Sequence, residues 1–225
     1  MQKLITMLTL QQQLNDATNG KGWEAGLTKN GKQIDWRRCI YLEAAELIES
    51  YPWKHWKNID AKPDYENIKI EAVDIWHFVM SEALRHNVVQ KQGSIEALAE
   101  AISREAGYRA FAAGDRKSYP DHYAEIAVVE QFIKALFCDA EVETLVSEFF
   151  EVAALAGLDL ESLYQLYIGK NILNSFRQDH GYKEGSYLKI WEGKEDNVIM
   201  QQILEETPDI SPEALYSALS AHYPG

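Results

Sequence analysis

Cysteine is scarce in this chain, with two residues among 225. Cys39 and Cys138 lie far apart and form no spacing typical of a metal site or a redox motif. Each stands among apolar residues in a helical context. We therefore expect two buried thiols in a reducing compartment, which predicts a cytoplasmic protein.

Long hydrophobic runs are also lacking. No segment reaches the about 18 apolar residues that a membrane-spanning helix needs. The first residues, MQKLITMLTLQQQLN, turn polar early and contain no small-residue cleavage site, which is not the pattern of a signal peptide. The sequence thus predicts no membrane partner.

Positive charge is in deficit. Lysine and arginine number 22 against 35 acidic residues, for a net charge of −13. Such a chain has no general affinity for polyanions, so we expect no nucleic-acid partner. The phosphate-binding pattern G-x-x-x-x-G-K-[ST] is missing as well, which excludes a P-loop nucleotidase.

Strand-like alternation, internal repeats and low-complexity linkers are absent, and helical periodicity takes their place. In the segment 67–86, Ile68, Ile75 and Val79 belong to one apolar stripe with a period of 3.6 residues. Most other apolar segments repeat this spacing. The pattern predicts an all-α fold, a single helical-bundle domain over residues 1–225.

Local signals predict where helices begin and end. Asn19-Gly20 is a stop signal, Ser94 is an N-cap, and Ser211-Pro212 supplies an N-cap and first helical residue. The stretch 106–120 has two glycines and ends in proline, which predicts a loop or mobile segment.

Two carboxylate pairs carry the first chemical pattern. Glu43 and Glu46 form E-x-x-E, and Glu71 and Asp74 form E-x-x-D, each within a strongly apolar segment. We expect such helices to pack in a core, which would shield both acidic pairs from solvent. Residues three apart on a helix share a side, with Cβ atoms roughly 5–6 Å apart. Four converging carboxylates would repel one another without a cation, and Mg²⁺ prefers such oxygen ligands. The alternative is that each pair is the solvated face of an amphipathic helix.

A basic segment carries the second pattern. Lys170, Asn174 and Arg177 share one helix face, and Lys183 follows in a loop between glycines. Such cations suit phosphate groups. The alternative is a salt-bridged face at a helix C-terminus, where the helix dipole favours cations. Carboxylates that hold a metal, together with cations that bind phosphate, are typical of phosphoryl-transfer enzymes.

Several stretches together resemble the dimeric all-α dUTPases of the Campylobacter, trypanosomatid and phage type, part of the MazG-like superfamily of NTP pyrophosphohydrolases. The stretches are LQQQLN (10–15), YLEAAELIESYPWKHWKN (41–58), IKIEAVDIWHF (68–78), YIGKNILNSFRQDHGYKEGSY (167–187) and WEGKEDN (191–197). Residues 87–120 match no motif of the family, which leaves a variable insertion or a lid as their interpretation.

The resemblance implies a fold, a reaction and roles for residues. It implies a homodimer that hydrolyses dUTP, and also dUDP, to dUMP with Mg²⁺ bound by Glu43, Glu46, Glu71 and Asp74. Lys170, Arg177 and Lys183 become phosphate ligands. The base and deoxyribose pocket would be shaped by Gln11, Asn15, Trp56, His77, Phe78 and Asn174.

Alternatives stay open at this point. Trp56 and Phe78 could be core residues, and His77 could be a hydrogen-bonded structural histidine. A related house-cleaning enzyme could prefer another base, such as dCTP or a modified nucleotide. For the reaction itself, we expect Glu46 to be the base that activates the attacking water.

Overall fold

Helices form nearly all of the regular structure, which confirms the predicted all-α class. The computed structural model describes residues 1–58, 60–91, 93–138, 140–208 and 210–225. The α-helices are α1 (Gln2–Asn19), α2 (Trp36–Glu49), α3 (Tyr65–Val89), α4 (Ile95–Arg104), α5 (Ala106–Ala112), α6 (His122–Phe137), α7 (Val142–Leu155), α8 (Leu160–Asp179), α9 (Asp196–Glu206) and α10 (Pro212–His222). A short 3₁₀ helix spans Trp23–Ala25. No helix in the described ranges is long and apolar enough to cross a membrane.

One small hairpin interrupts the helices. Strands β1 (Ile190–Trp191) and β2 (Lys194–Glu195) pair antiparallel. Between them, Glu192 and Gly193 both have positive φ, 51° and 79°. This is the backbone of a two-residue turn whose twist matches that of the flanking strands, and glycine adopts it without a steric penalty. Strands of two residues are too short to produce a detectable alternation in the sequence.

The chain groups into two compact units, Met1–Glu161 and Ser162–Gly225. The first contains α1 to α7, and the second contains most of α8 together with the hairpin, α9 and α10. The single domain over residues 1–225 stays a prediction.

Helix α3 is the centre of the first unit. It packs against α1, α2, α4 and α7, and most of its side chains are buried. Trp76 stacks on Phe149 of α7 at 4.7 Å between ring centroids and contacts Phe150 at 5.2 Å. Because α3 is enclosed by several helices, some of its polar residues are buried within the protein, among them Glu71, His77 and Ser81.

The segment 106–120 corrects the sequence prediction. Residues 106–112 form helix α5, and Phe111 packs against Phe150 of α7 at 5.3 Å. Gly107 allows this contact, since a Cβ there would lie 2.0 Å from the backbone oxygen of Ser147. A glycine that permits close packing of two helices was thus mistaken for a loop glycine. Ser94 does cap α4 as predicted, accepting a hydrogen bond from the Ala97 amide.

The cysteines also differ from expectation. Both are free thiols, but Cys39 is half-buried and Cys138 is exposed. Cys138 follows the last residue of α6, where the helix ends. Its apolar neighbours in a helical context predicted burial, but its place at the helix end leaves it at the surface.

The second unit is held together by aromatic rings. Phe176 of α8 stacks on His180 at 3.8 Å and meets Trp191 at 5.6 Å. Tyr187 stacks on Tyr223 at 5.4 Å with an interplanar angle of 11°. These contacts fix the C-terminal half of α8 against the hairpin and the end of the chain, and so position the cations on that helix.

Candidate active site

Three predicted metal ligands come together where α2 meets α3. Glu43 and Glu46 of α2 and Glu71 of α3 each offer one carboxylate oxygen, and these oxygens lie within 4.8 Å of one another. Burial increases across the group: Glu46 is exposed, Glu43 is half-buried, and Glu71 is 8% exposed. The exposure of Glu46 corrects the expectation that both pairs would be shielded from solvent. The group therefore lies at the protein surface, and Glu71 is its buried member.

Asn67 orients the Glu71 carboxylate. Its Nδ2 donates to Glu71 Oε1 at 3.1 Å and to Ser50 Oγ at 2.8 Å. Ser50 is the residue that ends α2. One amide thus orients a carboxylate of the group and links the start of α3 to the end of α2.

Asp74, the fourth predicted ligand, lies about one turn beyond Glu71 on α3 and is half-buried. Its place among the ligands stays a prediction. Glu49, one turn after Glu46, forms an ion pair with Lys54. In this ion pair the opposite charges of the two side chains compensate each other.

The residues present fit a divalent cation. Three carboxylates this close repel one another when ionised, and a bound cation removes that repulsion. The donors are oxygens, which suits Mg²⁺. Asn67 adds the kind of hydrogen bond that commonly orients a ligating carboxylate.

Three of the predicted base-binding residues share one buried network. Gln11 and Asn15 of α1 and His77 of α3 are each 3% exposed. Gln11 Nε2 donates to Asn15 Oδ1 at 3.1 Å, and Gln11 Oε1 lies 2.7 Å from His77 Nδ1. Because a carbonyl oxygen can only accept, His77 donates from Nδ1. The centre of the network is Ser81, a residue that the sequence prediction missed.

The predicted aromatic residues occupy two different settings. Trp56 is 63% exposed and makes edge contacts with Trp53 at 5.7 Å and His55 at 4.8 Å, so it is not a core residue. Phe78 is half-buried and stacks on Trp36 at 5.9 Å. An exposed indole is a flat apolar surface of the kind that a nucleobase covers.

In the second unit, Arg177 makes a two-point ion pair with Asp196. Its Nε donates to Oδ2 and its Nη2 to Oδ1, both at 2.8 Å. Nη1 also donates to Asn174 Oδ1 at 3.2 Å, which confirms that these two residues share a helix face. Asp196 is fully buried and further accepts from the Tyr187 hydroxyl at 2.7 Å.

The pKa values of the Asp196 carboxyl and of the neighbouring Tyr187 hydroxyl are both shifted. Burial raises the pKa of the Asp196 carboxyl, but the hydrogen bonds and charge of Arg177 outweigh burial, so the pKa lies below its usual range. Burial and the hydrogen bond to Asp196 raise the pKa of the Tyr187 hydroxyl. Asp196 is thus a fixed anion that orients the guanidinium.

The two predicted lysines differ in environment. Lys170 is 1% exposed, and its Nζ donates to Asn197 Oδ1 at 2.8 Å. Asn197 also accepts from Arg177 Nη2 at 3.2 Å, so one amide joins both cations. Lys183 is exposed in a loop where Gly181 and Gly185 have positive φ, 84° and 76°.

Four residues to which the sequence analysis gave no role form hydrogen bonds with predicted site residues: Asn67, Ser81, Asp196 and Asn197. Asn67 stands four residues before Glu71, a spacing that places both on one helix side and could have identified it. Asp196 and Asn197 close the stretch WEGKEDN, which resembled the family without a role. Ser81 had no sequence signal, because the two amides that it contacts lie on another helix.

The comparison with known families agrees with this geometry. A family model described as dUTPase matches residues 3–182, which covers all of α8 and the first unit except its first two residues. Lys183 lies just beyond the matched range. No curated protein sequence matches the chain significantly. Since the family match spans most of the chain, the protein belongs to the dUTPase family and hydrolyses dUTP to dUMP.

Proposed function

We propose that this dUTPase requires Mg²⁺ and that it accepts dUDP as well as dUTP. In the cell, this reaction would keep uracil out of DNA and supply dUMP for thymidylate synthesis. The observation that carries the metal proposal is the group of carboxylate oxygens from Glu43, Glu46 and Glu71, which lie within 4.8 Å of one another.

Glu43, Glu46, Glu71 and Asp74 are the proposed ligands. A bound Mg²⁺ supplies positive charge against the phosphate oxygens and lowers the pKa of nearby water. Glu46 is the proposed base that accepts the proton of the attacking water. Its exposure supports this role, because water reaches an exposed carboxylate directly.

Lys170, Arg177 and Lys183 are the proposed phosphate ligands. Asp196 and Asn174 hold the guanidinium of Arg177 in one orientation before substrate arrives. Donors fixed in advance stabilise charge that grows during reaction without a cost for reorganisation. The loop of Lys183 carries two glycines with positive φ, which suits a segment that closes over a phosphate.

The base is the proposed ligand of the buried amide network. Gln11, Asn15 and His77 provide donors and acceptors, and the ring surfaces of Trp56 and Phe78 would cover the faces of the pyrimidine. Asn174 is a further proposed nucleoside-binding residue, as the resemblance to the family implies. The substrate is a mononucleotide, and the net charge of −13 disfavours a nucleic-acid polymer.

We further propose a homodimer, located in the cytoplasm. An exposed aromatic pair supports self-association: the rings of Tyr41 and Phe137 meet at 5.3 Å while 37% and 68% of the two residues stay exposed. Two free thiols suit a reducing compartment. Light scattering tests the dimer, and a mass near the 25.7 kDa of one chain would contradict it.

A substrate panel tests the proposed specificity. The purified protein is assayed with Mg²⁺ against dUTP, dUDP, dCTP, dTTP and UTP. We expect dUMP from the first two and far slower turnover of the others. Hydrolysis of dUTP alone would overturn the dUDP proposal.

A further inference from the structure

We propose that Ser81 is a positioning residue that locks the amide of Asn15 in one orientation and thereby selects uracil over cytosine. This inference rests on the proposed contact between Asn15 and the base. Ser81 is fully buried on α3, one turn after His77, and faces α1 through Gln11 and Asn15.

The hydroxyl proton of Ser81 is already donated in a hydrogen bond. It donates to the backbone oxygen of His77 at 2.8 Å, and a carbonyl oxygen can only accept. The Ser81 oxygen therefore acts as an acceptor toward its other neighbours. Gln11 Nε2 lies 3.1 Å from it and Asn15 Nδ2 lies 3.0 Å from it. Both amides must turn their NH₂ groups toward Ser81.

Gln11 adds a second constraint on Asn15. Its Nε2 donates to Asn15 Oδ1 at 3.1 Å, while its Oε1 meets His77 Nδ1 at 2.7 Å. If the Asn15 amide flipped, its oxygen would face the Ser81 oxygen without a proton between them. Its NH₂ would then face the NH₂ of Gln11. Two hydrogen bonds would become two repulsive contacts, so the buried network permits one orientation.

This orientation matters because an asparagine amide can otherwise serve both pyrimidines. Uracil presents an N3–H donor beside the O4 acceptor, whereas cytosine presents an N3 acceptor beside the N4 donor. A freely rotating amide matches either edge by flipping through 180°. Within the described part of the chain, the bonds to Ser81 and Gln11 leave Asn15 one N–H and one oxygen lone pair. Because the flip is blocked, the remaining N–H and lone pair of Asn15 can match only one of the two pyrimidine edges in a given binding pose.

Thymine supplies an internal control. Its Watson–Crick edge is the same as that of uracil, and it differs by a methyl group at C5. A variant that merely loosens the pocket would improve turnover of both dCTP and dTTP. A variant that frees the Asn15 amide would improve dCTP alone relative to dUTP.

The test compares Ser81→Ala with the wild-type enzyme in kcat/KM for dUTP, dCTP and dTTP. We expect the preference for dUTP over dCTP to fall by about tenfold or more, as the loss of one buried hydrogen-bond constraint implies. The ratio of dTTP to dUTP should stay unchanged. Ser147→Ala is the matched control, since it removes another hydroxyl of the first unit, which accepts from the Gly107 amide at 2.9 Å. It should alter neither ratio.

An unchanged dUTP to dCTP ratio in Ser81→Ala would overturn the proposal, and so would an equal gain for dCTP and dTTP. If Ser81→Ala does not fold, Ser81→Thr keeps the hydroxyl and should keep the selectivity, while Ser81→Cys weakens both acceptor bonds and should lower it. Higher selectivity for dUTP over dCTP in Ser81→Cys than in Ser81→Thr would contradict the proposed role of Ser81. Asn15→Ala tests the assumption that Asn15 contacts the base. An unchanged KM for dUTP in this variant would show that Asn15 does not contact the base.

Discussion

Arg177 and Asp196 form a two-point ion pair in which both nitrogen–oxygen distances are 2.8 Å. The side chain of Arg177 is 11% exposed and that of Asp196 is fully buried. A guanidinium held this way has a fixed direction, which is what a contact to developing phosphate charge requires.

Arg177→Ala should lower kcat by about 10²-fold or more, the usual effect of removing one prearranged donor to transition-state charge. Steady-state kinetics with dUTP measures this. Lys189→Ala is the control in the same unit, since Lys189 forms an exposed ion pair with Glu195. A rise in KM without a fall in kcat would show that Arg177 contributes to substrate binding and not to transition-state stabilisation.

Asp196→Asn should remove a pH-dependent part of the stability. The pKa of Asp196 is depressed in the folded protein, so its stabilising contribution is present above the usual value of 3.8 and is lost as pH falls through the folded pKa. The Tm gap between wild type and Asp196→Asn should therefore be constant between about pH 5 and 7 and narrow at more acidic pH. A gap that widens on acidification would contradict the depressed pKa.

Glu46→Gln should reduce kcat by at least about 10²-fold while the Tm changes little, because an exposed carboxylate contributes mainly to chemistry. Glu49→Gln is the matched control: it lies one turn away, is also exposed, and pairs with Lys54. Its effect should be mild. Near-normal turnover by Glu46→Gln would eliminate Glu46 as the base.

Asn67→Ala should weaken metal activation by about 10- to 100-fold, as measured by the Mg²⁺ concentration for half-maximal rate, since Asn67 orients Glu71. The rate at saturating Mg²⁺ should recover much of the wild-type value. Asn30→Ala, in an exposed turn, should leave the Mg²⁺ dependence unchanged. Loss of rate that Mg²⁺ does not restore would assign Asn67 a role in folding instead.

Helices and their ends were largely predictable, because their signals are local. The stop at Gly20, the Ser94 cap and the Ser211-Pro212 start appear in the structure as the sequence predicts. Helix α5 was missed because Gly107 serves a contact with α7 that no local pattern reveals.

The site was predictable where its residues carry a motif. The spacing of Glu43 and Glu46 indicated a shared side, and the structure brings Glu71 to the same point. Ser81 could not be found this way. It contacts Gln11 and Asn15, which are 70 and 66 positions away in the chain, and only the packing of α1 on α3 brings these residues together.

The dependence of dUTP hydrolysis on a divalent cation tests the carboxylate site most directly. The rate of dUMP formation is measured in Mg²⁺, after addition of excess EDTA, and after Mg²⁺ is restored. Because Glu43, Glu46 and Glu71 converge within 4.8 Å, we expect the rate to collapse with EDTA and to return with Mg²⁺. An equal rate in EDTA would contradict a metal-dependent reaction at these carboxylates.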